Sequence, residues 1–354
     1  ENRLKMVHKI HIIFVLLLLS FGVNASQIKF YGVIQGEYSV TDSFGGSSVQ
    51  SVDDDSANSG IGQLGFKFTE KINQYLSSNA VLEFRTDPVN NAGASTNRQG
   101  YVELDHKKLG AIAIGRFHSI YKWTGGIQID PLMGTALQAR TNGGMSGGAG
   151  LLGHIGYVSN SIRYISPSFN NFKLSLLWMP DERNQNSIST AGNDKENDYA
   201  LAFSFEKGPL NAWFVHGRDK RSGNVPSEMA SKIGLQLALN QHKVSFQYEV
   251  ISNSFNNAQL LNNFAAITDV NGSSDHDAEI VYLGYQYKLR NNLLVAQLGK
   301  TDVDGLNGNN VDYLALGLIH HMSRKVRVHF GYMNSQSSIN ADRDVWAVGL
   351  RKTF

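Results

Sequence analysis

Two acidic runs carry the residue types of a metal site. One is Asp53-Asp54-Asp55; the other is Asp302-Val303-Asp304-Gly305-Leu306-Asn307, with Asp312 beyond it. Calcium loops place oxygen ligands at alternate positions around a glycine turn. The second run lacks a glutamate at the closing distance, and both runs sit in polar connectors rich in Gly and Asn, where solvated acids are ordinary. His320-His321 falls at an expected turn, and the other histidines have no ligand spacing. The run Gly143 to Gly150 is not followed by Lys-Ser/Thr, so it does not read as a phosphate loop. No serine and histidine are marked as a hydrolytic pair. These residues predict neither a metal, nor a cofactor, nor an enzyme.

The charges that do follow a pattern alternate with oily residues. Glu83 lies between Leu82 and Phe84, and Arg85 follows them. Successive side chains on a strand point to opposite faces, so if Leu82 and Phe84 face lipid, Glu83 and Arg85 face the other side. The same parity turns Lys29, Lys67, Arg163, Lys173, Lys243, Glu249, Arg327 and Arg351 inward. A charge on the lipid face near the midplane costs about 2–4 kcal/mol, which enforces that parity. The inward set is mostly positive.

The elements that position these charges are strands. Period-two alternation recurs in Leu64, Phe66 and Phe68, in Ile233, Leu235, Leu237 and Leu239, and in Val326, Val328, Phe330 and Tyr332,. A soluble sandwich also alternates. Here, however, aromatics gather near segment ends (Tyr31, Tyr101, Trp123, Trp178, Tyr199, Trp213, Tyr248, Tyr287, Tyr332, Trp346), as an interfacial girdle requires. The residues between the oily ones are small or charged, which suits a watery lumen. A membrane barrel is therefore favoured over a secreted sandwich.

Residues 1–25 are expected to contain a secretory signal peptide: Lys9, the apolar run Ile12 to Leu19, then Val23-Asn24-Ala25,. That leaves 26–354 as a single domain. Setting the leader aside removes Arg3, Lys5, Lys9 and Glu1, so basic and acidic residues balance; a nucleic-acid binder would show a basic excess. The chain has no cysteine, so disulfides do not hold it. No later stretch is apolar for the length of a membrane helix.

Connector lengths alternate. Short turns are expected at His106 to Gly110, Pro167 to Asn171, Lys207 to Pro209, Asn240 to His242, Leu289 to Asn292 and His321 to Arg324. Eight long polar segments separate them, the longest running from Ser119 to Asn160. Outer-membrane barrels alternate tight periplasmic turns with large outer loops, so eight long loops imply sixteen strands. The closing segment WAVGLRKTF keeps the alternation: Trp346, Val348, Leu350 and Phe354 toward lipid, with Arg351 inward and Lys352 near enough to the end to snorkel,. It is expected to pair with the first strand near Ile28 to Tyr38, because a barrel leaves no edge open.

Taken in order, IKFYG from Ile28, GQLGFKFTEKI from Gly62, NRQGYVEL from Asn97, LGAIAIGRFHS from Leu109, SIRYISPSF from Ser161 and the closing VGLRKTF resemble the trimeric general porins of Gram-negative bacteria, in particular the neisserial type. The resemblance implies an all-β transmembrane antiparallel 16-stranded barrel in the outer membrane, assembled as a homotrimer. Its third loop would fold inward and face basic residues on the wall. It also implies passive diffusion of ions and small hydrophilic solutes. The pore and constriction residues are then Lys29, Lys67, Glu83, Arg85, Arg116, Asp130, Arg140 and Arg163. Arg116 shares the parity of the outward Ile112 and Ile114, so either a bulge at Gly115 resets the alternation or the strand leaves the lipid zone first.

General porins of this kind often place several carboxylates on the third loop. Here Ser119 to Asn160 holds only Asp130 against Lys122 and Arg140, so weak anion preference is expected; a substrate-selective channel on the same barrel is the alternative. Lipopolysaccharide and the barrel-assembly machinery are the other partners implied, the latter reading Trp346 and Phe354.

Overall fold

The computed structural model describes residues 27–43, 46, 48–53, 61–89, 97–140, 142–146, 156–180, 197–219, 227–255, 276–304, 310–337 and 342–354. The expected leader, Asp54, Asp55, Gly147 to Gly150 and most of the loop from Ile251 to Asp277 lie outside them.

Alternating side chains and glycine- or asparagine-rich turns produce one antiparallel meander. Its first strands are β1 (Gln27–Ser43), β2 (Val49–Asp53), β3 (Gln63–Lys71), β4 (Leu76–Arg85), β5 (Asn97–His106) and β6 (Gly110–His118). After the inward loop come β7 (Tyr157–Ile165), β8 (Phe172–Met179), β9 (Asp198–Lys207), β10 (Leu210–Asp219), β11 (Glu228–Leu239) and β12 (His242–Phe255). The last five are β13 (His276–Leu289), β14 (Asn292–Val303), β15 (Asn310–His321), β16 (Val326–Ser337) and β17 (Arg343–Thr353).

Each strand pairs with the next, and β17 returns to β1 in the register Val33↔Thr353 to Ser43↔Arg343. β2 is a short flap on the outer half of β1, pairing Glu37↔Asp53 to Thr41↔Val49 on the edge that β3 occupies lower down. Sixteen strands therefore close the barrel, as the loop count predicts. The turns at 208–209, 240–241 and 290–291 each begin with a left-handed residue: Gly208 (φ 57°), Asn240 (φ 53°) and Arg290 (φ 54°), the geometry that two-residue hairpins need. A further short turn, 72–75, joins β3 to β4.

Parity holds on the outside. Ile233 is 54% exposed and Leu235 43%, while Lys232 between β11's outward residues is 3%. Such a band of exposed Leu, Ile, Val and Phe belongs in hydrocarbon. Among the described residues no helix is long and apolar enough to cross a membrane.

The inside departs from the expected watery lumen. Buried apolar residues of the inward wall, including Val215, Ile280, Tyr282, Tyr313, Met333 and Val345, form one cluster with Tyr121, Leu132, Leu137 and Met145 of the inward loop. Four of the expected girdle aromatics also belong elsewhere. Trp213 faces inward and donates to Gln247 Oε1 at 3.3 Å. Tyr31 faces inward and donates to Glu83 at 3.0 Å, and Tyr101 lies under the Arg163 guanidinium at 5.2 Å. Trp123 sits in the loop, stacked on His118 at 4.8 Å. Position near a strand end made them look interfacial; parity, or placement off the strands, decides otherwise.

Candidate functional site: the loop-narrowed lumen

The loop after β6 begins with a short helix, α1 (Ile120–Trp123), started by Ser119, whose hydroxyl accepts from the Lys122 amide at 3.1 Å. A 3-10 turn follows at Gly126–Gln128. Gly125 has φ 63°, and a Cβ there would overlap the Trp213 indole. Only glycine lets the chain pass this point of the wall.

From there the loop is strapped to one side of the lumen. Tyr121 donates to Glu249 at 2.9 Å, and Ser146 donates to the same carboxylate through its amide at 3.2 Å and through its hydroxyl. Gln247 accepts from the Gly126 amide at 2.8 Å. Tyr313 donates to the Leu137 carbonyl at 2.6 Å, Thr301 to that of Gly143 at 2.8 Å and Ser335 to that of Asn142 at 3.1 Å. Arg351 donates to the Met133 and Gly134 carbonyls at 2.9 and 3.0 Å. Glu37 accepts from the Ala136 amide at 2.8 Å and is itself bridged to His329 at 2.6 Å. All of these wall groups stand on β1, β12 and β14 to β17. Buried backbone groups of an irregular segment must find partners, and here the inward wall supplies them.

Asp130 is the organiser of the loop. It accepts from the Leu132 and Ala139 amides at 2.9 and 2.8 Å and from Gln297 Nε2 at 2.7 Å, and is 5% exposed. Burial raises its pKa, and those bonds oppose the rise,. Arg140, 3% exposed, is also packed within the loop. Both charges are thus buried within the loop.

The inward faces of β3 to β7 carry the remaining charges. Glu83 accepts from Tyr31 (3.0 Å), Arg98 (3.1 Å) and Gln99 (3.1 Å). Glu103 accepts from Asn79 (3.1 Å) and Arg163 (3.2 Å). Lys29 and Lys67 lie directly opposite one another across β1 and β3, and Arg85 stands beside Gln63 on β4. Glu83 and Glu103 are therefore occupied, while Asp105, on the same face of β5 nearer its turn, and these three cations have no ion pair among the described residues.

Arg116 has a different setting. The register irregularity lies not in β6 but across from it: Gly115 pairs Ser161 and Phe117 pairs Val158, so β7 carries the extra residue, with Asn160 at φ 51°. Parity on β6 continues through Gly115 to the buried Phe117. Arg116 donates to the Asn97 carbonyl at 3.2 Å and Ser159 Oγ at 2.6 Å, and its guanidinium is 5.3 Å from the Tyr157 ring centroid. It stands at the outer end of the strand, away from Arg163. Arg98, on a second bulge in β5, is a wall cation that alternation alone passes over.

A closed sixteen-stranded membrane barrel with an inward loop and a charged wall defines an outer-membrane channel for passive diffusion. The chain belongs to the Gram-negative porin family, whose model matches residues 14–340. It is similar to the anion-selective porin from Comamonas acidovorans, with 16% identity, a TM-score of 0.74, and 93% of this chain and 100% of that one covered. It is also similar to Salmonella typhi OmpF in complex with daunomycin (14%, TM-score 0.72, 93% and 98% covered) and to the trimer form of in-vitro folded OmpT of Vibrio cholerae (13%, TM-score 0.64, 94% and 100%). No curated protein matches.

Proposed function

We propose that this porin is a general diffusion pore with weak anion preference, working as a homotrimer without covalent chemistry or a cofactor. The observation that carries the preference is the wall opposite the loop. Glu83 and Glu103 are each neutralised by an arginine at 3.1 and 3.2 Å, which leaves Lys29, Lys67 and Arg85 against the carboxylate of Asp105 on β5 to set the sign of the field. A ring biased toward one sign favours ions of the other. The low-dielectric loop and wall on either side concentrate that field in the water between them.

Lys29, Lys67, Glu83, Arg85 and Arg163 are assigned to the wall of the water path, and Asp130 and Arg140 to holding the loop's shape at the constriction. Arg116 is assigned to the outer vestibule. Trimeric assembly is supported by the resemblance to trimeric porins, and by the OmpT trimer among the similar structures. Contacts with lipopolysaccharide, and recognition of Trp346 and Phe354 by the barrel-assembly machinery, belong to the same reading. Planar-bilayer reversal potentials in a salt gradient test the ion preference: a modest shift toward the chloride potential is expected, and clear cation selectivity overturns it. A substrate-selective pore would instead show saturable flux of its solute.

A further inference from the structure

At the root of the inward loop, Lys122 of α1 is 9% exposed, and its ammonium makes no hydrogen bond or ion pair among the described residues. Its Nζ lies 4.4 Å from the centroid of the Tyr157 ring. Arg98 approaches the same ring at 5.4 Å and Arg116 at 5.3 Å. The Tyr157 hydroxyl is buried without a partner among the described residues. The groups whose charge acts on Lys122 are Arg140, Arg98 and Arg116, against the single carboxylate of Glu83. Glu83 is already shared among Arg98, Tyr31 and Gln99. His118, its ring tilted against Tyr157 at 4.3 Å, adds a further buried nitrogen, Nδ1, without a partner among the described residues.

A buried ammonium with only an aromatic face as partner and a buried hydroxyl without one are both costly unless a ligand completes them. Three donors, Lys122 Nζ, the Arg98 guanidinium and Tyr157 OH, are what a tetrahedral or planar oxyanion requires. Arg98 keeps 12% of its side chain exposed.

We propose that Lys122, Arg98 and Tyr157 form a saturable subsite for the oxyanion group of a small solute, on the outer side of the constriction. It rests on the channel reading and deepens its ion preference, but not on the wall lysines that set the bulk field. Loop and wall here act together: α1 supplies a cation where a carboxylate would repel the solute, and the β5 bulge brings Arg98 toward it. Burial and the neighbouring arginines hold the Lys122 ammonium well below the ordinary lysine range. Its charged fraction therefore falls with rising pH where an exposed lysine stays charged. Sulfate keeps its charge across the same range, so its binding should weaken as pH rises.

The test uses purified full-length protein, free of lipopolysaccharide, in planar bilayers with potassium chloride and added sulfate as the probe. Saturable reduction of the chloride current is expected, weakening as the pH is raised. Lys122→Met should raise the half-blocking concentration about tenfold, the loss of one charge-assisted bond. Glu83→Gln, which removes the competing carboxylate, should lower it. Current that falls in proportion to sulfate without saturating, or equal block in wild type and Lys122→Met, overturns the subsite. If Lys122→Met does not assemble, the Glu83→Gln shift and the pH dependence decide: absence of both overturns it. Reversal potentials measured on the same bilayers report the bulk preference separately, so a cation-selective pore that still shows saturable sulfate block would refute only the wall reading.

Discussion

At the scale of single residues, the loop depends on a few wall carboxylates that accept several donors at once. Glu249 is the clearest. It is 1% exposed and holds Tyr121, Ser146 and Gln247, opposite Lys232 in the strand register. Glu249→Ala would orphan those donors and remove the carboxylate that faces the buried Lys232. Each orphaned donor costs about 1–3 kcal/mol, so the loop rather than the barrel should give way. The expected outcome is a pore with larger and noisier single-channel current, while Glu249→Gln, which keeps an acceptor oxygen, shows a smaller change. Quiet, wild-type-sized channels from Glu249→Ala would mean that the remaining straps suffice. Gly125→Val probes the same loop through sterics: its side chain would meet Trp213 at a left-handed backbone position, and a similar rise in current noise is expected.

At the scale of elements, parity is the governing fact, and its energetic cost depends on depth. Leu298 is 52% exposed in the middle of β14, and Leu294 is 44% exposed near the turn at 290–291. Arginine on the lipid face costs about 2–4 kcal/mol at the midplane and about 0–1 kcal/mol near an interface, where it reaches water. Leu298→Arg should therefore lose several-fold more unfolding free energy than Leu294→Arg, measured by denaturant unfolding in lipid vesicles. Equal losses would place the membrane differently on this barrel.

The same parity explains what the sequence made legible. Strand type and the pairing of WAVGLRKTF with β1 both follow from a period of two, because the outside must be oily and a barrel must close. The inward wall was harder to read. Once a loop packs on it, apolar residues such as Val215, Ile280 and Met333 serve on the inside as well as the outside, so alternation fades there. The bulges on β5 and β7 were not legible either. A single extra residue in one strand of a ladder leaves no local pattern beyond an ordinary Asn160 or Arg98,. Asp130 could be named from the sequence as the loop's lone acid. Its three donors, brought from residues 132, 139 and 297, could not.

At the scale of the whole molecule, the barrel exists only if its first and last strands meet, and the meeting point is narrow. β1 pairs with β3 through Gln27 to Val33 and with β17 from Val33 onward, so residues 32 and 33 are where one edge hands over to the other. Phe354 closes that seam. Its amide donates to the Gly32 carbonyl at 3.1 Å, and its carbonyl accepts from the Gly32 amide at 3.3 Å. Its ring lies 5.2 Å from Phe30, which in turn lies 5.2 Å from Phe66. A Cβ on Gly32 would come within 2.5 Å of the Phe354 ring, so the glycine is the floor on which that ring sits. Phe354→Ala keeps the backbone pair and removes the aromatic cluster, which holds the seam together but touches no part of the water path. Its effect should fall on the yield of assembled barrels, scored by heat-dependent mobility on gels, with single-channel conductance unchanged in the barrels that do form. Gly32→Leu should lower the yield in the same way by forcing the ring out. If either variant assembled at the wild-type yield but conducted differently, the seam would have to contribute to the pore, contrary to its position on the lipid-facing side of β1.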